Sequence, residues 1–299
     1  FSTAPGAIRD LLVEVFSGGA KPRLLARGML TGLDLKPRAR PLRVLLGRPE
    51  RFACTPGGMG AARAFHSATS LPNNQVLVLG GVAAGSTATS LRLSSSVAEI
   101  YEPRTGTFTA VAGQLPAGRA LHSAVLLASS PREGPYDLLL VGGVTERPGD
   151  PGGAVLAHDP ASGALPLLPA AGAEAAPTTL VRLFPWTSPP QMQVIRAGPR
   201  LQGRMLHAAA DNGQRAVVLA GGLAGRQGDR LTTVDTLELL PDVRGTAHEG
   251  PFSLQRARVG AAAVALGATE VLLYGGNLDS PAASVDSELA ESVTLGRAP

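Results

Sequence analysis

The chain has 299 residues, a formal net charge of +4 and 44% hydrophobic residues, with 37 glycines, 25 prolines and a single cysteine. So many glycines and prolines exclude a mainly helical protein and fit a turn-rich all-β protein. The sequence holds no run of 18 apolar residues, which excludes a membrane-spanning helix. Its arginines are scattered along the chain, which argues against a nucleic-acid-binding surface.

The first predicted unit covers residues 1–58 and consists of a β-strand segment, similar to part of a β-sandwich, followed by a linker. Short strands are predicted where apolar runs alternate with Gly, Pro and basic turns, at 11–16, 23–28, 30–35 and 41–46. A helix over 8–16 is the competing interpretation, because the same apolar residues fit a helical stripe. The chain begins at Phe1 without a methionine or signal peptide, so we expect a processed chain or a fragment.

The second unit, residues 59–299, is built from a repeat. Four times a short apolar run ends in a glycine pair: Gly80 and Gly81, Gly142 and Gly143, Gly221 and Gly222, Gly275 and Gly276. An Arg-x-x-His element precedes three of these pairs, and the fourth has alanine instead of histidine: Arg63 and His66, Arg119 and His122, Arg204 and His207, Arg258 and Ala261. Such internal self-similarity decides the fold before any other feature of a sequence.

Each repeat is predicted to form four antiparallel strands. The apolar runs of four or five residues are too short for helices and suit strands that are covered on both faces. Turn residues such as Glu102-Pro103 followed by Thr105-Gly106 fold the third and fourth strands into a hairpin. The glycine pair ends the second strand where the backbone bends sharply, or where a neighbour comes too close for a Cβ atom.

These motifs resemble the Kelch repeat, the four-stranded blade of a β-propeller, and the resemblance covers residues 63 to about 295. It implies an all-β fold with four clear blades. Phe108 and Leu165 stand where the family usually has a late tryptophan. Kelch-like proteins with an N-terminal β segment resemble exported bacterial proteins, which implies a location in the periplasm or at the cell surface and other protein subunits as partners.

The spacing of the repeats suggests one more blade. The first glycines lie at 80, 142, 221 and 275, so the spacings are 62, 79 and 54 residues, against about 50 for a Kelch unit. The longest spacing contains strand-like runs at 179–184 and 193–195, but no glycine pair. We predict a degenerate fifth blade between 166 and 202, with a long loop on one rim as the alternative.

The repeated arginines and histidines are predicted to be structural, because they recur in step with the glycine pairs. Three histidines at equivalent positions lie around a ring, whereas a zinc ion needs its ligands within about 2.1 Å, so no metal site is predicted. Converging arginines can clamp a carboxylate, as in propeller sialidases, but the Asp-box repeats of that family are absent. A mutarotase-like sugar site in the propeller mouth stays open on the same residues.

No catalytic residue and no cofactor are predicted. The sequence has no Gly-x-Ser-x-Gly elbow, no phosphate-binding Gly-rich loop and no His-Glu-x-x-His motif. A copper-radical oxidase needs a cysteine crosslinked to a tyrosine, and Cys54 precedes the first blade. A lone cysteine excludes an internal disulfide, and Cys54 is either a linker thiol without a role or a bridge to another chain.

The function predicted from the sequence is therefore a non-enzymatic, exported propeller that acts as a protein-interaction or structural subunit of a cell-envelope assembly. Rigid strands that hold variable loops commonly form recognition surfaces. Phe184 and the only tryptophan, Trp186, are the candidate partner-binding residues, although Trp186 could instead pack inside a degenerate blade. The alternative is a carbohydrate-binding or carbohydrate-active propeller, mutarotase-like or sialidase-like, with its site in the central mouth.

Overall fold

The regular elements of the described residues are all β-strands. The computed structural model describes residues 8–34, 44, 46–49, 55–83, 91–92, 98–113, 115, 118–127, 130–131, 133–146, 154–158, 167–169, 173–197, 204–213, 216–227, 230–233, 235–240, 249–278 and 290–294. The strands in these ranges are β1 Ile8–Phe16, β2 Leu24–Asp34, β3 Arg63–Ala64, β4 Ser67–Ser70, β5 Val76–Leu79, β6 Val82–Ala83, β7 Leu91–Arg92, β8 Ala98–Glu102, β9 Thr107–Val111, β10 Arg119–Ala120, β11 Ser123–Leu126, β12 Tyr136–Val141, β13 Val144–Glu146, β14 Ala154–His158, β15 Leu167–Pro169, β16 Ala173–Ala175, β17 Thr179–Phe184, β18 Gln191–Ala197, β19 Arg204–Met205, β20 Ala208–Asp211, β21 Val217–Ala220, β22 Leu223–Gln227, β23 Arg230–Thr233, β24 Thr236–Leu240, β25 Glu249–Ser253, β26 Arg258–Val259, β27 Ala262–Ala265, β28 Glu270–Tyr274, β29 Asn277–Leu278 and β30 Ala290–Thr294. Among these residues no helix is long and apolar enough to cross a membrane.

The N-terminal segment is an antiparallel hairpin of β1 and β2, in which Leu12 lies opposite Met29. The helical alternative for residues 8–16 is therefore wrong. The two strands predicted at 23–28 and 30–35 form one continuous strand, since Gly28 pairs with Val13 and does not turn the chain. Most of the strand predicted at 41–46, and Cys54, lie outside the described residues.

The repeats form antiparallel sheets that follow one another around an axis. From the inner to the outer strand, the sheets are β4-β5-β8-β9, β11-β12-β17-β18, β20-β21-β24-β25 and β27-β28-β30. We call them blades 1 to 4. The inner strands of consecutive blades contact each other, which is the arrangement of a β-propeller. The prediction of an all-β propeller is confirmed, and blade 4 has three strands within the described ranges.

The predicted fifth blade is wrong. Its two strand-like runs are β17 and β18, which are the third and fourth strands of blade 2. Leu138 of β12 pairs with Val181 of β17, and Val181 pairs with Val194 of β18. β14, which is also a short and largely apolar strand after the glycine pair of blade 2, pairs with β15 and β7 in a separate sheet. The long spacing is therefore an insertion between the second and third strands of blade 2.

The core lies between the blades, and in blades 2 and 3 alternate residues of the second strand pack against different neighbouring blades. In β12, Leu138 and Leu140 pack in a cluster with residues of blade 1, whereas Leu139 and Val141 pack with residues of blade 3. Both faces of the strand are covered, which explains why its residues 138–141 are all apolar. Blade 4 differs, because its Tyr274 side chain is 55% exposed.

A second set of short strands explains the glycine pairs. The two residues that begin each Arg-x-x-His element pair with the two residues that follow the glycine pair of the same blade, as Arg119-Ala120 does with Val144-Thr145. Both glycines have positive φ. The second glycine donates its N–H to the arginine carbonyl of the next blade, at 2.8 Å in Gly81–Arg119, Gly143–Arg204 and Gly222–Arg258.

A matched pair of substitutions separates backbone strain from crowding at this junction. Gly142 and Gly275 occupy the same repeat position, with φ of +60° and +69°. A Cβ on Gly142 would lie 2.6 Å from His207 Cε1 and closer still to the Arg204 carbonyl oxygen, whereas a Cβ on Gly275 meets nothing described within 4 Å. We expect Gly275→Ala to cost about 1 kcal/mol through the left-handed backbone and Gly142→Ala about 1–3 kcal/mol more through overpacking.

Urea unfolding of both variants against the wild type measures this difference. Equal losses of stability in the two variants would show that strain at φ explains the glycine pairs and that the approach of the next blade does not.

Candidate functional site

The four repeated arginines lie inside their own blades, and three of them are neutralised there. Arg63 pairs with Glu99 at 2.9 Å and Arg258 pairs with Glu291 at 2.8 Å, while Arg204 pairs with Glu238. In each case the carboxylate belongs to the third strand of the same blade, so the ion pair joins the first residues of the repeat to that strand. These three arginines are directed away from any shared carboxylate-binding clamp.

The residue before each histidine position has an unusual backbone. Phe65, Leu121 and Leu206 adopt positive φ of 57°, 57° and 53°, and Gly260 has this conformation in blade 4. Positive φ is costly for large side chains, and residues held in such strained conformations cluster at functional sites. Successive blades are joined here by backbone hydrogen bonds: the Leu121 N–H donates to Phe65 O, Leu206 to Leu121 O, and Gly260 to Leu206 O.

These turns surround one cavity at the propeller axis. The cavity has a volume of about 220 Å³ and lies where the inner strands of all four blades begin. Equivalent positions from the four blades form its wall: Phe65 and His66 of blade 1, Leu121, His122 and Ser123 of blade 2, Leu206 and His207 of blade 3, and Gly260 and Ala261 of blade 4. Three imidazoles therefore share a cavity with apolar side chains.

The imidazoles have hydrogen-bonding capacity that the described protein groups do not use. His122 Nε2 lies 2.9 Å from Ser67 Oγ, but its Nδ1 atom has no partner among the described residues. His207 is only 6% exposed, and both of its ring nitrogens lack a partner in the same part of the chain. The Nδ1 atom of His66 is also buried without one. Buried polar atoms are usually hydrogen-bonded, so such exceptions need an explanation.

Burial keeps these histidines neutral at physiological pH. Desolvation lowers the pKa of His207 to about 3, with a further contribution from the positive charge of Arg204. The pKa of His122 is also lowered, first by desolvation and then by Arg119 and the other two histidines. Desolvation and Arg63 lower the pKa of His66, which is only partly buried. A neutral imidazole offers one donor and one acceptor.

The sequence pattern identifies the residues of this site but not their convergence. Equivalent positions in four blades do lie around a ring, yet the ring is narrow enough for three histidines to line one cavity. Within the described ranges, no group of three or more His, Cys, Asp or Glu side chains could hold a metal ion. Backbone strain at Phe65, Leu121 and Leu206 could not be inferred from residue types that rarely adopt positive φ.

The candidate partner-binding residues lie elsewhere, at the turn between the outer strands of blade 2. Trp186 is 56% exposed and meets Phe184 edge to face, with ring centroids 6.0 Å apart. Its ring lies over Gly134, where a Cβ would collide with it. Trp186 is thus not part of the core of a degenerate blade.

Comparison with known proteins gives a fold relationship only. No protein-family model matches the chain, and no curated protein sequence matches it. Among solved structures, the one titled "Structure of YjhT" is similar, with a TM-score of 0.38 and 13% sequence identity over 90% of this chain and 87% of that chain.

The expectation that the chain is not an enzyme does not stand. Its basis was the absence of linear catalytic motifs. Such motifs are a poor guide for this fold, because a site at the axis is assembled from turns of several blades that are far apart in sequence.

The lowered histidine pKa values predict a loss of stability in acid. The unfolded chain protonates His207 near pH 6.5, whereas the folded chain leaves it neutral down to pH of about 3. Between these values the unfolded state binds more protons. The free energy of unfolding therefore falls by about 1.4 kcal/mol for each unit by which the pH is lowered, for this residue alone.

Urea unfolding of the wild type and His207→Gln between pH 7 and pH 4 tests this prediction. The variant should have a flatter profile, because one titrating group is removed while carboxylate contributions remain. Parallel profiles would mean that His207 takes up a proton in the folded protein as readily as in the unfolded one.

Proposed function

We propose that the protein is a carbohydrate-active propeller that binds a single uncharged sugar in the cavity at its axis. The observation that carries the proposal is the set of buried imidazole nitrogens without partners, in a cavity lined by all four blades. Donors and acceptors placed on a rigid scaffold, with apolar walls between them, are typical of small-molecule sites.

The size and the walls of the cavity support a monosaccharide. At about 220 Å³ it is smaller than the sites of drug-sized ligands, which occupy about 300–1,000 Å³. A sugar ring presents hydroxyl groups, which both donate and accept hydrogen bonds, around an apolar C–H face. Neutral His122 and His207 match the hydroxyls, and Phe65, Leu121 and Leu206 offer apolar surface to the ring face.

The charge of the site favours a neutral ligand over an acidic one. Three of the repeated arginines are held by glutamates, and none of the four lines the cavity in the described part of the chain. The arginine clamp of the sialidase-like alternative therefore lacks support. The mutarotase-like alternative does not need a clamp.

Interconversion of anomers is a reaction that imidazoles can catalyse. A base removes the proton of the anomeric hydroxyl, this proton is passed through water to the ring oxygen as the C–O bond opens, and the reverse transfers close the open chain on the other face. General bases work best with a pKa near the working pH. Because His66 is only partly buried, whereas His122 and His207 are buried, we assign His66 as the proton acceptor and the other two as binding groups.

A panel of neutral monosaccharides, measured by calorimetry and by exchange NMR of the two anomers, tests the proposal. We expect the wild type to bind at least one sugar and to accelerate its anomer exchange. His207→Leu removes the donor and the acceptor and should weaken binding about tenfold, since a hydrogen bond is worth about 1–1.5 kcal/mol. His66→Gln should slow exchange more than it weakens binding.

Gln193→Ala, at an exposed position on the outer strand of blade 2, serves as the control and should behave as the wild type. If no sugar in the panel binds, or if His207→Leu binds as tightly as the control, the cavity is not a sugar site.

The exposed aromatic pair favours a second function, recognition of another protein. Large exposed aromatic residues commonly anchor interfaces, and Trp186 is 56% exposed beside Phe184. This proposal includes three expectations that rest on the sequence resemblance. They are the Kelch type of the repeats, export to the periplasm or cell surface, and other subunits as partners.

Trp186 can report on such a partner directly, because it is the only tryptophan of the chain. We expect proteins that co-purify with the chain from its native source to shift the tryptophan emission to shorter wavelength and to be lost with Trp186→Ala. Phe252→Ala, at another exposed aromatic side chain, should retain them. Equal recovery with both variants would place the partner surface elsewhere.

A further inference from the structure

Blade 2 departs from the repeat at its buried arginine. Arg63, Arg204 and Arg258 each have a glutamate on the third strand of their own blade. In blade 2 the third strand places Thr179 there, and Arg119 Nη2 donates to Thr179 Oγ1 at 2.9 Å and to the Pro177 carbonyl at 3.0 Å. Threonine supplies a hydrogen bond but no negative charge.

Arg119 is nonetheless as buried as its counterparts. It is 3% exposed, and its Nε and Nη1 atoms have no hydrogen-bond partner among the described residues. Burial lowers the pKa of Arg119 to about 10, which leaves the guanidinium charged at neutral pH. A buried charge without a counter-charge is strongly unfavourable.

The charge of Arg119 is felt by its neighbours. It is the second cause, after desolvation, of the lowered pKa of His122. Water could satisfy the two nitrogen atoms but would not remove the charge.

We propose that Arg119 is the binding site of a small monovalent anion, of the class of chloride or formate, which replaces the glutamate carboxylate of the other blades. One negative charge restores the balance that the other three blades have. Threonine is shorter than glutamate, so the site requires an ion that is small enough to lie beside the threonine side chain. The anion accepts hydrogen bonds from the guanidinium, whose contacts to anions are strong. This site is separate from the proposed sugar cavity, which Arg119 does not line.

Thermal unfolding in sodium chloride and in sodium gluconate at equal ionic strength tests the site, because gluconate is too large to enter it. We expect chloride to raise the midpoint by roughly 4 °C in a saturable way. Thr179→Glu supplies the missing carboxylate, so its midpoint should not depend on chloride. The reciprocal variant Glu238→Thr recreates the arrangement of blade 2 in blade 3 and should gain a second saturable dependence.

Crystals of the wild-type protein grown in bromide give a direct readout that does not rely on a variant folding. We expect an anomalous peak at the Arg119 guanidinium, and we expect the pKa of His122, followed by NMR, to rise with chloride. Three results would each overturn the proposal. They are equal midpoints in the two salts, a Thr179→Glu midpoint that still rises with chloride as in the wild type, and bromide crystals without a peak at Arg119. None of these outcomes bears on sugar binding by His207.

Discussion

The propeller depends on the close approach of each repeated arginine's backbone to the glycine pair of the preceding blade. The second glycine N–H donates to the arginine carbonyl, as Gly143 does to Arg204, and the first glycine leaves room for that oxygen because it has no Cβ. The side chains of Arg63, Arg204 and Arg258 meanwhile pair with a glutamate of their own blade. One residue thus joins neighbouring blades through its backbone and the strands of one blade through its side chain.

The same junction creates the cavity. With the arginine fixed, the chain must turn within two residues to start the inner strand, and Leu121 and Leu206 take up positive φ in doing so. The turn brings His122 and His207 to the axis, where each ring packs beside the first glycine of the preceding blade. The architecture of the repeat and the chemistry of the site are therefore not alternatives, because consecutive residues of one motif serve both.

Glycine pairs and short apolar runs were sufficient to predict the blades, since both are consequences of local backbone and burial. The third strand of blade 2 was not predictable in the same way. β14 and β17 are both short and apolar, and only pairing with β12 distinguishes them. A glutamate identifies the third strand in the other blades, but blade 2 has Thr179 there. The histidines converge because of the rotation between successive blades. The spacing of residues along the sequence gives no information about that rotation.

A site made from repeated positions is symmetric unless one blade departs from the pattern. A ligand without that symmetry can bind in a single orientation only if one blade differs from the others. Blade 4 provides this at the cavity, because Gly260 and Ala261 replace the bulky residue and the histidine of the other blades. Its part of the wall has neither an imidazole nor a large side chain, so the wall is asymmetric at this blade. The exception at Arg119 follows the same logic inside blade 2. In both places, the residues that the blades share form the scaffold. The one blade that differs is the position at which a ligand is proposed to bind.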